Sequence, residues 1–173
     1  MMRREALLFG AALAGWSMTS MLPRGAFATG AKRIVSVGGA LTEIAFALGL
    51  GERIVAVDTT SNWPEATQKL PKVGYMRALT PEGVLSLAPD LILLAHGAGP
   101  KAAIDRLRSS GIEVALGPAG DSAEDVREKI AFVGSGLGRV PEAERLAIGY
   151  EKRMTKVQDR VATLPNRPSV LFL

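Results

Sequence analysis

The chain alternates short runs of β-branched and aliphatic residues with helical patterns, and this alternation restricts its possible folds more than any other feature. The predicted strands are Ile34–Val37, Ile54–Val57, Leu91–Leu94 and Ile112–Leu116. Strands that alternate with helices at this spacing form βαβ units, whose strands lie parallel in one sheet. A strand that is apolar on both faces, such as the third, indicates a sheet with helices on both sides. We therefore predict an α/β lobe built on a short parallel sheet flanked by helices.

The helical patterns lie between and after these strands. In chain order they are Leu41–Leu48, a short helix starting at Pro64, a helix that starts at Thr80-Pro81 and ends before Pro89, Pro100–Ser109, a helix capped by Ser122 and running to Leu137, and Pro141–Leu164. Thr and Ser are favoured N-cap residues, and Pro is favoured in the first turn.

The carboxyl ends of parallel strands share one edge of a sheet, and ligands of such sheets bind beyond that edge. In this chain the edge is predicted to carry Gly38-Gly39, the Asp58–Arg77 loop, His96-Gly97 and Pro118-Ala119. We therefore expect the functional site in this group of loops.

The last helical pattern is longer than a lobe of four short strands needs. Pro141–Leu164 spans roughly 36 Å at about 1.5 Å per residue. Pro165 and Pro168 then break the chain, and Ser169–Leu173 has the composition of a new strand. We predict a first lobe over residues 29–140, an interlobe helix over 141–164, and the start of a truncated second lobe over 165–173.

The N-terminus has the order and size of a secretory signal peptide. Arg3 and Arg4 precede the uncharged run Ala6–Leu22, and Ala26-Phe27-Ala28 is a small-residue cleavage site. We expect removal of residues 1–28 and a periplasmic mature protein. An uncleaved membrane anchor is the alternative, and either the general secretory or the twin-arginine route fits the arginine pair.

Composition excludes several classes of site. The chain has no cysteine and one histidine, which removes disulfides, thiolate metal sites, cysteine nucleophiles and multi-histidine metal cages. The formal net charge is only +4, and no basic run is interleaved with aromatic residues, so we expect no nucleic-acid partner. The glycine pairs form no phosphate-binding motif, and no catalytic triad is evident, so we expect no enzyme activity.

Three stretches resemble periplasmic substrate-binding proteins for iron complexes, haem and cobalamin. The first is Arg33–Gly51 with its Gly-Gly-x-x-Thr-Glu pattern, followed by Ile54–Asp58. The second is Glu82–Ile92, which contains Ala-Pro-Asp-Leu-Ile, and the third, Lys72–Leu79 with Gly-Tyr-x-Arg, is similar to the haem-binding branch.

The resemblance implies a two-lobed protein that captures haem and delivers it to an ABC transporter permease and its ATPase. Such a protein meets the inner membrane only through the permease. A ferric-siderophore or cobalamin binder of the same class is the alternative. A nucleotide- or flavin-using doubly wound enzyme and a surface protein without ligand are more distant alternatives.

Tyr75 is the candidate ligand of the haem iron. It follows Gly74 on the ligand edge, whereas Tyr150 lies on the apolar stripe of the last helix and is expected to pack. A phenolate suits ferric iron, and the charge of Arg77 would support it. The residues alone leave open that Tyr75 is an ordinary surface residue, and the resemblance favours ligation.

Other candidates surround this tyrosine. His96 is the rival iron ligand or a cleft-lining residue. Met76 is expected to contact the porphyrin face, and Gly38-Gly39 to hold a haem propionate at a helix N-terminus. Trp63 either lies near the cleft or pins its own loop onto the lobe.

Glu82 has a different expected role. In the resembling class each lobe offers a surface carboxylate to arginines of the permease, and Glu82 stands at that position. Alternatively it serves only the dipole of its own helix.

Overall fold

The computed structural model describes residues 30–165 together with Ser169 and Leu171. The strands are β1 (Ile34–Val37), β2 (Ile54–Val57), β3 (Leu91–Leu94) and β4 (Glu113–Leu116). The α-helices are α1 (Gly39–Ala47), α2 (Pro81–Leu85), α3 (Lys101–Ser109), α4 (Ala123–Gly136) and α5 (Val140–Ala162), and short 3₁₀ helices span Gly51–Arg53 and Glu65–Lys69.

The strands form one parallel sheet in the order β2-β1-β3-β4, which confirms the predicted α/β lobe. Val37 at the end of β1 lies in register with Leu94 at the end of β3. The strand that follows β1 in the chain, β2, lies on one side of β1, whereas β3 and then β4 lie on the other side. The strand order therefore reverses between β1 and β3, and a crevice opens beyond their carboxyl ends.

Helices cover both faces of the sheet, as the apolar strands predict. Every residue of β3 is buried. One core cluster joins the sheet to α1, α4 and α5, and the other joins it to α2, α3 and the Val73–Leu79 loop. The predicted apolar face of α1 is buried, namely Leu41, Ile44, Ala45 and Leu48.

Helix starts differ in how their free N–H groups are satisfied. Ser122 and Asp125 form a reciprocal capping box at the start of α4. Thr80 precedes α2 with Pro81 in the first turn, as predicted, but its side chain makes no capping hydrogen bond.

The predicted strand Ile112–Leu116 is one residue longer than β4, because Ile112 precedes the strand.

The long helix α5 is confirmed, with 23 residues and a length of about 34 Å. Its stripe is buried at Ala143 and half-buried at Tyr150, which packs on the core as expected. Further along, Val157, Val161 and Leu164 are 54%, 59% and 53% exposed. The distal half of α5 therefore presents an apolar stripe to solvent.

Two expectations concern segments that the structure does not describe. The signal peptide over residues 1–28 lies outside the described residues, as does most of the strand predicted at Ser169–Leu173. The division into lobes thus stays a prediction. Within the described part of the chain, no helix combines the length and apolar character needed to cross a bilayer.

Candidate functional site

The turn between β1 and α1 is built on close backbone contact. Gly38 has φ 106°, a conformation that glycine adopts without strain, and a Cβ at this position would lie 2.3 Å from the Cβ of Ala95. Because the residue after β1 lies against the residue after β3, the two strand ends converge. This convergence occurs at the reversal of strand order.

A depression of about 360 Å³ opens at this point of the sheet edge. The predicted residues Gly38, Gly39, Met76, Arg77 and His96 all line it. The structure thus brings together five of the six residues expected at the ligand site. Pro118, which the sequence also placed on this edge, lines the depression as well, and Asp121 and Lys129 are lining residues that sequence reasoning missed.

Tyr75 stands beside the depression and does not line it. Its side chain is 47% exposed, and its carbonyl accepts a hydrogen bond from the Ala78 N–H at 2.8 Å. The Thr59 N–H donates to the Gly74 carbonyl at 2.9 Å, and the Gly99 N–H donates to the Met76 carbonyl at 2.9 Å. The tyrosine loop is therefore anchored on both sides while its phenol remains accessible.

The depression carries mixed charge. Arg77 and His96 are exposed, whereas Lys129 is half-buried and donates from its ammonium group to the Gly120 carbonyl. Asp121 is the carboxylate in the lining. Cationic groups around the start of α1 can attract carboxylates such as those of a propionate side chain.

Trp63 does not line the depression. It is 65% exposed and lines a shallow groove with Phe46 of α1 and Tyr150 of α5. The expectation that it approaches the cleft is therefore not met. Its exposure also shows that it does not pin its loop by burial.

Glu82 lies on the surface in the first turn of α2 and pairs with Arg106 of α3 at 3.2 Å. Both side chains are largely exposed, so the pair contributes little to stability. The carboxylate is therefore available to an outside partner.

A buried polar network beneath the site was not foreseen. Ser36, Thr42, Asp58 and Ser61 are fully buried. Burial raises the pKa of Asp58, but hydrogen bonds from Ser61, Thr60 and Gly38 outweigh it and hold the pKa below its usual value. The polar run Asp58–Ser61 after a buried strand was the signal for this network.

A larger groove of about 840 Å³ runs between α4 and α5. Its walls include Phe132, Val140 and Ile148, and the Arg127–Glu151 ion pair joins the two helices at 3.0 Å. Leu116 at the end of β4 and Pro118 also line it, whereas no residue of the turns after β1 and β3 does. The smaller depression is the candidate ligand site, because charged and polar side chains from several loops converge there.

Residues 34–173 match the family of periplasmic binding proteins, and the chain belongs to this family. It is therefore a binding protein, as expected, and not an enzyme.

Three relatives illustrate what the chain is similar to. The solved structure of the periplasmic heme-binding protein RhuT from Roseiflexus sp. RS-1 is 39% identical with a TM-score of 0.77, over 79% of this chain and 52% of that one. YvrC of Bacillus subtilis, an uncharacterized ABC transporter substrate-binding lipoprotein, is 35% identical over 77% of this chain and 43% of its own length. The vitamin B12-binding protein of Yersinia pestis is 39% identical over 50% of this chain and 31% of its own. The chain thus spans about half the length, or less, of these relatives.

Proposed function

We propose that the chain is the N-terminal lobe of a periplasmic haem-binding protein that supplies an ABC importer. Tyr75 binds the ferric iron, and Arg77 supports the phenolate. Met76 contacts the porphyrin face, while Gly38 and Gly39 face a propionate. The mechanism is capture and delivery, with Glu82 docking on the permease.

The observation that carries this proposal is the convergence at the sheet edge. Met76, Arg77 and His96 meet the Gly38-Gly39 turn in one depression, and the exposed Tyr75 stands next to it. A phenolate beside cationic groups suits a ferric, carboxylate-bearing ligand. The match to the heme-binding protein RhuT supports the same conclusion, since it extends over 79% of this chain.

Cobalamin is the second candidate, and the match to the vitamin B12-binding protein favours it. That match has the same identity, 39%, but extends over only 50% of this chain. Cobalamin offers no propionate carboxylates, and its cobalt is not expected to need a phenolate. Arg77 and Lys129 in the lining can pair with the propionates of haem, which favours haem.

The test is a parallel titration of the purified protein with ferric haem, cobalamin and a ferric siderophore. We expect ferric haem to give a high-spin, tyrosinate-type absorption spectrum and to raise the melting temperature. Binding of cobalamin or the siderophore, with no spectral change on adding haem, would refute the haem assignment. A cleft completed by a second lobe should bind haem more tightly than this lobe alone.

A further inference from the structure

Asp58 is held by four hydrogen bonds from two different loops. One carboxylate oxygen, Oδ1, accepts from the Gly38 N–H at 2.8 Å and from the Ser61 hydroxyl at 2.6 Å. The other, Oδ2, accepts from the Thr60 N–H at 3.0 Å and from the Thr60 hydroxyl. The buried carboxylate thus joins the turn that starts α1 to the loop that follows β2.

The residues on either side of this aspartate hold the tyrosine loop. Val57 accepts at its carbonyl from the Val73 N–H at 3.0 Å, and the Thr59 N–H donates to the Gly74 carbonyl at 2.9 Å. Tyr75 is the next residue along. Its loop and the Gly38 turn are therefore connected through one carboxylate.

A chain of hydroxyl groups extends the connection into α1. The Thr42 hydroxyl oxygen lies 3.0 Å from that of Ser61 and 2.8 Å from that of Ser36. It also donates to the Gly38 carbonyl at 3.1 Å. Ser36, Thr42, Asp58 and Ser61 are all fully buried, so a shift of either loop would leave buried polar groups without a hydrogen-bond partner.

We propose that Asp58 is a positioning residue of the ligand site, whose carboxylate sets the spacing between the α1 turn and the Tyr75 loop. A buried carboxylate is costly to desolvate, and apolar packing would stabilise the lobe at least as well. What the carboxylate adds is a fixed geometry of the two loops. The consequence for iron binding rests on the proposed function, whereas the connection between the loops does not.

The chain offers a matched control at the opposite edge of the sheet. Asp90 accepts at Oδ2 from the N–H groups of Lys32 and Arg33 at 2.9 and 3.0 Å. It therefore also joins backbone segments through a carboxylate, but far from the depression. Asp58→Asn and Asp90→Asn are the same chemical change at the two edges.

The experiment compares both variants with the unchanged protein by amide hydrogen exchange and by ferric-haem titration. Asp58→Asn replaces one carboxylate oxygen with an NH2 group, which cannot accept a hydrogen bond. The buried groups that donate to that oxygen therefore lose their acceptor. We expect exchange over residues 57–75 to accelerate about tenfold or more, haem affinity to fall about tenfold, and the tyrosinate signature to weaken. Asp90→Asn should change none of these three.

Ser61→Ala is the second variant, used where Asp58→Asn does not fold. It deletes one of the four hydrogen bonds and should change the same measurements in the same direction, by less. Equal exchange over residues 57–75 in the Asp58 and Asp90 variants would overturn the proposed connection. Faster exchange with unchanged haem spectrum and affinity would overturn the positioning role. An unchanged protein that shows no haem spectrum would overturn the proposed function, and the exchange comparison would still decide the connection.

Discussion

Gly134 of α4 lies directly against Ala143 of α5. A Cβ on Gly134 would stand 2.2 Å from the Cβ of Ala143 and 3.2 Å from the carbonyl oxygen of Arg139. Non-bonded carbon atoms do not approach each other to 2.2 Å, so a side chain at residue 134 would force the two helices apart. This contact sets the direction in which α5 leaves the lobe.

Gly134→Ala should lower the free energy of unfolding by about 1–3 kcal/mol, because an extra methyl group in a packed contact strains the backbone. The matched control is Gly149→Ala in the interior of α5, where the nearest atom is the Nη1 of Arg153 at 3.7 Å. That change should raise the free energy of unfolding by up to about 1 kcal/mol, since alanine favours helix. Urea unfolding measures both. Equal changes in the free energy of unfolding for Gly134→Ala and Gly149→Ala would show that the contact with Ala143 is not tight.

Tyr75→Phe keeps the aromatic ring and deletes the phenol oxygen. We expect the tyrosinate-type spectrum to disappear and ferric-haem affinity to fall by about tenfold or more, which is roughly 1.4 kcal/mol or more of lost binding free energy. Ferrous haem should lose less affinity, because a phenolate favours the ferric state. Absorption spectroscopy during haem titration is the measurement.

The chain supplies two controls for this change. Tyr150→Phe is the same substitution at a tyrosine that packs on the core, and it should leave the haem spectrum unaltered. His96→Ala removes the rival ligand from the depression. Loss of the axial-ligand signal in His96→Ala, with retention in Tyr75→Phe, would show that the histidine is the ligand.

Glu82→Lys reverses the charge at the proposed permease contact. We expect haem binding to stay unchanged while uptake through the importer falls, because complementary charge governs such docking. The change also breaks the ion pair with Arg106, so Arg106→Ala is the matched control. It breaks the same pair and keeps the carboxylate, and uptake should persist. Equal losses of uptake in both variants would assign the effect to the pair itself.

Stability in acid should depend on Asp58. Its pKa lies below the usual value, so the folded protein binds this proton less readily than the unfolded chain. The contribution to the free energy of unfolding is complete above the ordinary carboxyl pKa of about 4 and declines as pH falls through the lowered pKa. The difference between the unchanged protein and Asp58→Asn should therefore shrink below about pH 4.

Urea unfolding at several pH values between 7 and 3 tests this expectation. Asp125, whose pKa is lowered by its hydrogen bonds with Ser122, titrates in both proteins and cancels from the difference. A difference that stays constant over the whole range would contradict the assignment to Asp58.

The fold was predictable because each strand is short, apolar and followed by a clear helical period. Leu91–Leu94 illustrates this, since a run of four apolar residues between Pro89-Asp90 and His96-Gly97 has the length of a strand covered on both faces. The strand order was not predictable, because the register of Val37 with Leu94 depends on contacts between residues far apart in sequence.

The site was predictable in part for a similar reason. Met76, Arg77 and His96 follow from their place after strands, since the carboxyl ends share an edge. Asp121 lies in the loop after β4, three residues beyond Pro118, whereas Lys129 belongs to α4 and reaches the edge only through the packing of that helix. The role of Asp58 was missed because it depends on hydrogen bonds with Gly38 and Ser61 in the folded chain. No spacing pattern in the sequence indicates these hydrogen bonds.

The exposed stripe of α5 has a consequence for helix formation itself. A helix as short as the segment from Lys152 to Ala162 is marginal in water on its own, because its first turn is costly to nucleate. Here the packed turns around Ala143 supply that nucleus, and the distal turns need only propagate from it. Any surface that covers Val157 and Val161 therefore meets a helix already formed, and association does not have to order it.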